Sequence, residues 1–178
     1  MANRRSRLLL AADWASYKLF QGVLGYAARK PYAERVAWFG WFLTKVLGPV
    51  AGYRKRVLDN LDLIHPQMSA TDKAAFADRV LDNFGRTLGE NFFGRDFGDY
   101  LRARGTTIEG EGLAALKAAK AQGRPVLMVA GHFGNHEAPR HLLTDLGFTI
   151  GGIYRPMANP FFDEHYENSL EILGGQVF

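Results

Sequence analysis

Residues 125–130 read PVLMVA, an apolar run with no charge and no polar side chain. A run of that length, closed by Gly131, suits a strand buried on both faces. Such a strand belongs in a parallel sheet with helices against it, and the flanking pattern agrees. Residues 106–109 form a short strand candidate, and residues 111–122 predict a helix closed by Gly123. A helix through His141 to Leu146 follows, then the run 148–154 and a helix over about residues 160–173. Gln176, Val177 and Phe178 resemble the opening of another strand. Strands alternating with helices of this length predict βαβ units and a mostly parallel sheet.

The first hundred residues are patterned differently. In RKRVLDNLDLIHP, Val57, Leu61 and Ile64 recur at helical spacing and the stretch stops at Pro66. Ser69 stands three residues before Asp72, close to a capping box, and predicts a helix over residues 70–92. The expected architecture is therefore α/β. Residues 1–100 are an N-terminal helical, membrane-associated region, and residues 101–178 are a mostly parallel sheet with flanking helices, incomplete at its C-terminal end.

The membrane expectation rests on charge and aromatic content. The net charge is +4, and Arg4, Arg5, Arg7, Arg29, Lys30, Arg54, Lys55 and Arg56 concentrate basic character in the first third. That clustering suits an anionic surface, either phospholipid or nucleic acid. Residues 36–53 contain a single charge, Lys45, with Trp38, Phe39, Trp41 and Phe42 on more than one helical face. Lys45, Gly48 and Pro49 interrupt the segment, so it reads as lying in a membrane interface rather than crossing the bilayer. An ordinary buried helix is the competing reading. Residues 8–12 are a short apolar run followed by Asp13 and Lys18 with no clean cleavage site, which predicts a retained amphipathic helix on the cytoplasmic side. Nucleic acid is disfavoured, because the basic residues alternate with bulky apolar ones and no nucleic-acid motif is present.

Cysteine is absent, which excludes disulfides, thiolate metal sites and cysteine nucleophiles. Chemistry falls to histidine, serine and carboxylates. Three of the five histidines lie in GHFGNHEAPRH, residues 131–141, behind the run 125–130. A loop between a central strand and a helix N-terminus is where α/β sheets bind ligands. Three readings compete there. A metal site formed by His132, Glu137 and His141 is one, but the zinc-protease pattern needs a histidine where Arg140 stands. Histidines that cap the helix or meet solvent are the second. The third pairs His132 with Glu137: one ring nitrogen is oriented by the carboxylate and the other faces a substrate hydroxyl. No serine or cysteine lies between strand and helix, so the substrate hydroxyl itself attacks. Gly131 and Gly134 permit tight turns and close approach of substrate.

The motif GHFGNHE, with its His132-to-Glu137 spacing after an apolar run, resembles the active-site motif of bacterial lipid A biosynthesis acyltransferases of the lauroyl and myristoyl type, in the glycerolipid acyltransferase-like group. Arg54 to Arg56 with Asn60 and Leu61, the stretch Asn83-Phe84-Gly85-Arg86, the turn Ile108-Glu109-Gly110, and Tyr154-Arg155-Pro156 with Asn159-Pro160 resemble further blocks in the same order. The family commonly carries a tryptophan where this chain has His136. The resemblance implies transfer of a fatty acyl group from a thioester, acyl carrier protein or coenzyme A, to a hydroxyl of a lipid-linked sugar at the cytoplasmic face of the inner membrane. His132 is then the general base and Glu137 its partner. Arg155, Gly134 and Asn135 bind substrate, Arg155 through an acceptor phosphate or the thioester oxygen. No metal or cofactor is implied. The family generally continues beyond this length, which implies that the 178 residues are an N-terminal portion, inactive and prone to aggregate when expressed alone. A non-catalytic membrane- or nucleic-acid-binding module, using the basic aromatic N-terminus, is the rival reading. It has no need of the His132 and Glu137 pair.

Overall fold

Hydroxyl caps start two of the long helices, and close packing between helices does the rest. The computed structural model describes residues 6–173, 175, 176 and 178. The Ser6 hydroxyl accepts from the Leu9 amide at 3.3 Å and opens α1 (Arg7–Ala28). Pro31 leads into α2 (Tyr32–Phe42), which continues through a π-helical stretch (Leu43–Leu47) into the single turn α3 (Gly48–Val50). Gly52, with φ 74°, turns the chain into α4 (Tyr53–Ile64). The Ser69 hydroxyl accepts from the Asp72 amide at 3.1 Å and opens α5 (Ala70–Phe92), as the capping pattern predicts. Then come α6 (Gly94–Ala103), α7 (Gly112–Ala121), α8 (Ala138–Asp145) and α9 (Pro160–Leu170), followed by a 3₁₀ turn over Glu171–Leu173.

The principal core lies where α2 and its π-helical continuation cross α5. Val36, Phe39 and Leu43 are buried there, facing a stripe of α5 that contains Ala77, Leu81, Gly85 and Gly89. A methyl group built on Gly85 would lie 2.8 Å from Gly40 Cα and 2.9 Å from Leu43 Cβ. The two backbones are therefore close enough that only hydrogen fits between them. The Thr44 hydroxyl donates to the Gly40 carbonyl at 2.8 Å, which satisfies a polar group in this packed region. At the edge, Lys45 and Arg54 both pair with Asp78, holding its carboxyl below the usual range through the Lys45 hydrogen bond first.

This packing corrects the membrane reading of residues 36–53. Val36, Phe39 and Leu43 are buried in the protein, so one face of α2 and its continuation is core, while Trp41 and Val50 stay exposed. Among the described residues no helix is long and apolar enough to cross a membrane. The expected placement at the inner membrane, as built on residues 36–53, is corrected to that extent: part of the segment is core and no described helix crosses a bilayer. Arg4 and Arg5 of the first basic cluster lie outside the described residues.

The α/β expectation is also corrected: the fold is helical, with no strand among the described residues. Residues 125–130 are extended but make no ladder, and Leu127 and Val129 are 83% and 91% exposed. An apolar run states a demand for burial, whereas a strand requires a partner backbone as well. The nearest approach to a sheet is three hydrogen bonds in parallel order. Gly152 N–H donates to Gln176 O, Phe178 N–H to Gly152 O, and Tyr154 N–H to Phe178 O, at 2.9 to 3.1 Å. That pairing is too short to form a strand, and Gly174 and Val177 beside it lie outside the described residues.

The tight crossing has a measurable signature. Gly85→Ala forces backbone apart and should cost about 1–3 kcal/mol of packing strain, more than the helix-propensity gain of about 1 kcal/mol. At Gly89 the added methyl meets only the Phe39 side chain, at 3.0 to 3.1 Å, and the ring can shift. The urea midpoint should therefore fall clearly for Gly85→Ala and barely for Gly89→Ala, with unchanged slope. Equal effects of the two substitutions would contradict a backbone-limited crossing.

Candidate active site

The motif loop is anchored to the helical core by one side-chain amide. Gly134, with φ 60°, reverses the chain after His132 and Phe133, a conformation that glycine adopts without cost. Asn135 Oδ1 then accepts from the Glu137 amide at 2.9 Å, an Asx turn that leads into α8. The Asn135 Nδ2 group donates to Glu90 Oε2 on α5 at 2.7 Å. Burial pushes the Glu90 carboxyl above its ordinary range, while the Asn135 hydrogen bond and the Arg86 charge oppose that shift. Both ends of the Asn135 amide are thus committed to fixing the entry of α8.

His132 is exposed on the loop, and its ring meets His136 edge to face with 4.3 Å between centroids. His136 is the imidazole that faces the carboxylate, its Nε2 3.8 Å from Glu137 Oε1. Its pKa is lowered, first by burial and then by His132, against the opposing charge of Glu137. The other carboxylate oxygen, Glu137 Oε2, accepts from Arg140 Nη1 at 3.1 Å. Among the described residues no hydrogen bond joins His132 directly to Glu137. The structure thus brings His132, His136 and Glu137 into one row, with Arg140 behind the carboxylate.

His141 points the other way. It is 4% exposed and packs edge-on against Phe97 of α6, with 5.1 Å between ring centroids. Gly98 provides the space: a methyl group there would stand 3.0 Å from His141 Nδ1. Burial lowers its pKa, opposed by Glu137 and Asp145 and assisted by Arg102 and Arg140. Arg102 of α6 pairs with Asp145 of α8 at 3.0 Å beside it. Among the described residues no group of three histidine or acidic side chains is placed to hold a metal ion.

Arg155 is exposed in the segment before α9 and makes no hydrogen bond or ion pair among the described residues. Between α7, residues 124–128 and residues 147–153 lies an open apolar cleft of about 1030 Å³, with Leu116, Val126, Met128, Leu143, Phe148 and Ile150 on its walls. Sequence reasoning treated Arg140 only as an obstacle to a metal site. The placement of a glutamate and an arginine three residues apart on a helix is the signal that could have found the pair.

A family model described as bacterial lipid A biosynthesis acyltransferase matches residues 8–178. The chain belongs to that family. Its reaction class is acyl transfer, and the match covers the helical support as well as the motif. Comparison with curated proteins and with solved structures finds no match.

Burial of the three histidines has a consequence for stability. His136, His141 and His165 all have folded-state pKa values below the ordinary 6.5, with burial as the leading cause. The unfolded chain therefore binds protons at these sites more readily than the folded one. Their contribution is complete above about pH 6.5 and is lost as pH falls through the window between the unfolded and folded values. Urea midpoints should decline from about pH 7.5 to pH 5, and His141→Gln should flatten that decline. A variant with the same pH dependence as the parent would remove His141 from this account.

Proposed function

We propose that the protein moves a fatty acyl group from an acyl thioester to a hydroxyl of a lipid-linked sugar, a lipid A precursor. Acyl carrier protein is the preferred carrier, ahead of coenzyme A. The observation that carries this reading is the family match over residues 8–178; it is supported by an accessible imidazole, His132, on the same loop as Glu137, a carboxylate fixed by Arg140.

One ring nitrogen of His132 takes the proton of the acceptor hydroxyl as its oxygen attacks the thioester carbonyl. The tetrahedral intermediate collapses with cleavage of the C–S bond. The same proton passes to the departing sulfur, so an ester and a thiol are formed and the imidazole is restored. Glu137 stabilises the imidazolium formed between the two steps. In this chain His136 lies between them, in ring contact with His132 and 3.8 Å from the carboxylate. Arg155 binds the acceptor's phosphate or the charge developing on the carbonyl oxygen. Gly134 lets the backbone approach substrate, and Asn135 acts on substrate through the turn it holds. The apolar cleft suits a fatty chain, since its walls offer aliphatic and aromatic surface. Within the same proposal, the helices up to about residue 100 support a site built after them.

The test is mass spectrometry of lipids from cells carrying the complete gene, its deletion, or its variants. Deletion should remove one fatty acyl mass from a glycolipid, and His132→Ala should reproduce the deletion, lowering transfer by at least about 100-fold. Glu137→Gln should lose nearly as much. His132→Ala should keep the parent's thermal midpoint, because that side chain is exposed, whereas Glu137→Gln should lower it by stripping the buried Arg140 of its counter-charge. An unchanged lipid profile in the deletion, or normal acylation with His132→Ala, would refute the proposal.

A further inference from the structure

We infer that Arg140 is a positioning residue for the reaction, acting through Glu137; this rests on the His132 and Glu137 reading above. Arg140 is one of the few buried charged side chains of the protein, with 9% of its surface exposed. A buried guanidinium is costly unless its donors are met. Here they are met by three separate chain segments. Nη1 donates to Glu137 Oε2 at 3.1 Å, Nη2 to the Leu170 carbonyl at 2.6 Å, and Nε to the Ile150 carbonyl at 3.4 Å.

Two of those partners are backbone carbonyls and cannot turn away. The end of α9 and the segment at Ile150 therefore fix the guanidinium, and the guanidinium fixes the carboxylate. The hold falls on one oxygen only. Oε1 is left on the side of the imidazoles, 3.8 Å from His136 Nε2. Meanwhile the Glu137 amide is held by Asn135 at 2.9 Å. Backbone and carboxylate are thus gripped independently, and the free oxygen has one direction in which to act. The carboxylate compensates the buried charge, and its second oxygen is what distinguishes positioning from stapling, because it faces His136 rather than Arg140. The three-residue spacing on α8 means that the hold forms with the helix itself.

A double-mutant cycle on the complete gene product separates positioning from mere stapling. Arg140→Met should lower kcat on the order of 100-fold, the effect of misplacing a catalytic group by about an ångström, with KM for the thioester little changed. Combined with Glu137→Gln, it should lower the residual rate by no more than about twofold, because no carboxylate remains to be positioned. Arg140→Lys keeps a single-point charge and should restore part of the rate, even with a lowered thermal midpoint. If Arg140→Met does not fold, the cycle is run with Arg140→Lys, which should lose about tenfold alone and nothing further with Glu137→Gln. Losses that multiply in the double variant, or a rate that follows only the thermal midpoint, would overturn the inference. Full activity of His132→Ala or Glu137→Gln would instead bring down the site reading beneath it.

Discussion

Everything downstream of residue 40 depends on the distance between two helix backbones. Gly85 lets α2 and α5 meet backbone to backbone, Gly40 and Gly89 make room for the Asp82 and Phe39 side chains, and Gly48, directly after the π-helical stretch, makes room for Leu81. The crossing fixes α5, a helix of 23 residues, as a rod about 35 Å long at 1.5 Å per residue. One end is capped by Ser69, and the other delivers Glu90 to the motif loop. The carboxylate that receives Asn135 is thus only one residue beyond Gly89. Placement of the reactive loop is inherited from the core through a single short stretch of α5.

The two buried arginines show a common solution to a common difficulty. Arg35 pairs with Asp96, donates to the carbonyls of Lys30 and Ala28, and lies 4.2 Å from the centre of the Phe93 ring. Arg140 pairs with Glu137 and donates to the carbonyls of Leu170 and Ile150. Each joins one carboxylate to two carbonyls from elsewhere in the chain. A planar fork of donors suits that task, and an ammonium does not. Arg35 uses the arrangement to join the turn after α1 to α6, and Arg140 uses it to join α8 to α9.

Helix positions were legible wherever a local chemical signal existed. Ser69 and Asp72 announced the start of α5, and Gly123 lies just past the end of α7, where φ is 66°. The motif was legible too, since its spacing and its place before α8 need no tertiary knowledge. What was not legible was partnership. Phe39 was assigned to a membrane with its neighbours because glycines forty-odd residues away carry no hydropathy to advertise a groove. The runs at 125–130 and 148–154 were read as strands because apolarity was visible and the missing ladder was not. In the site, the sequence displayed His132 and Glu137, but that His136 stands between them is a fact of loop geometry.

Asn159 ends one helix problem and opens another. Its Oδ1 caps α9 by accepting from the Phe161 and Phe162 amides, while its Nδ2 reaches the Asp13 carbonyl and the Ser16 hydroxyl of α1, across sequence separations of 146 and 143 residues. Tyr17 and Phe20 add ring contacts to Phe161, Phe162 and His165 on the same helix. Closing so long a loop is entropically expensive, and it can be rewarded only after α9 exists. During synthesis the first helix to leave the ribosome is therefore among the last to find its seat. Leu8, Leu9 and Leu19 remain exposed on α1 even after that docking. In the folded protein the same asymmetry makes the N-terminal half of α1 a unit that can open and reclose while the α2 and α5 crossing stays shut.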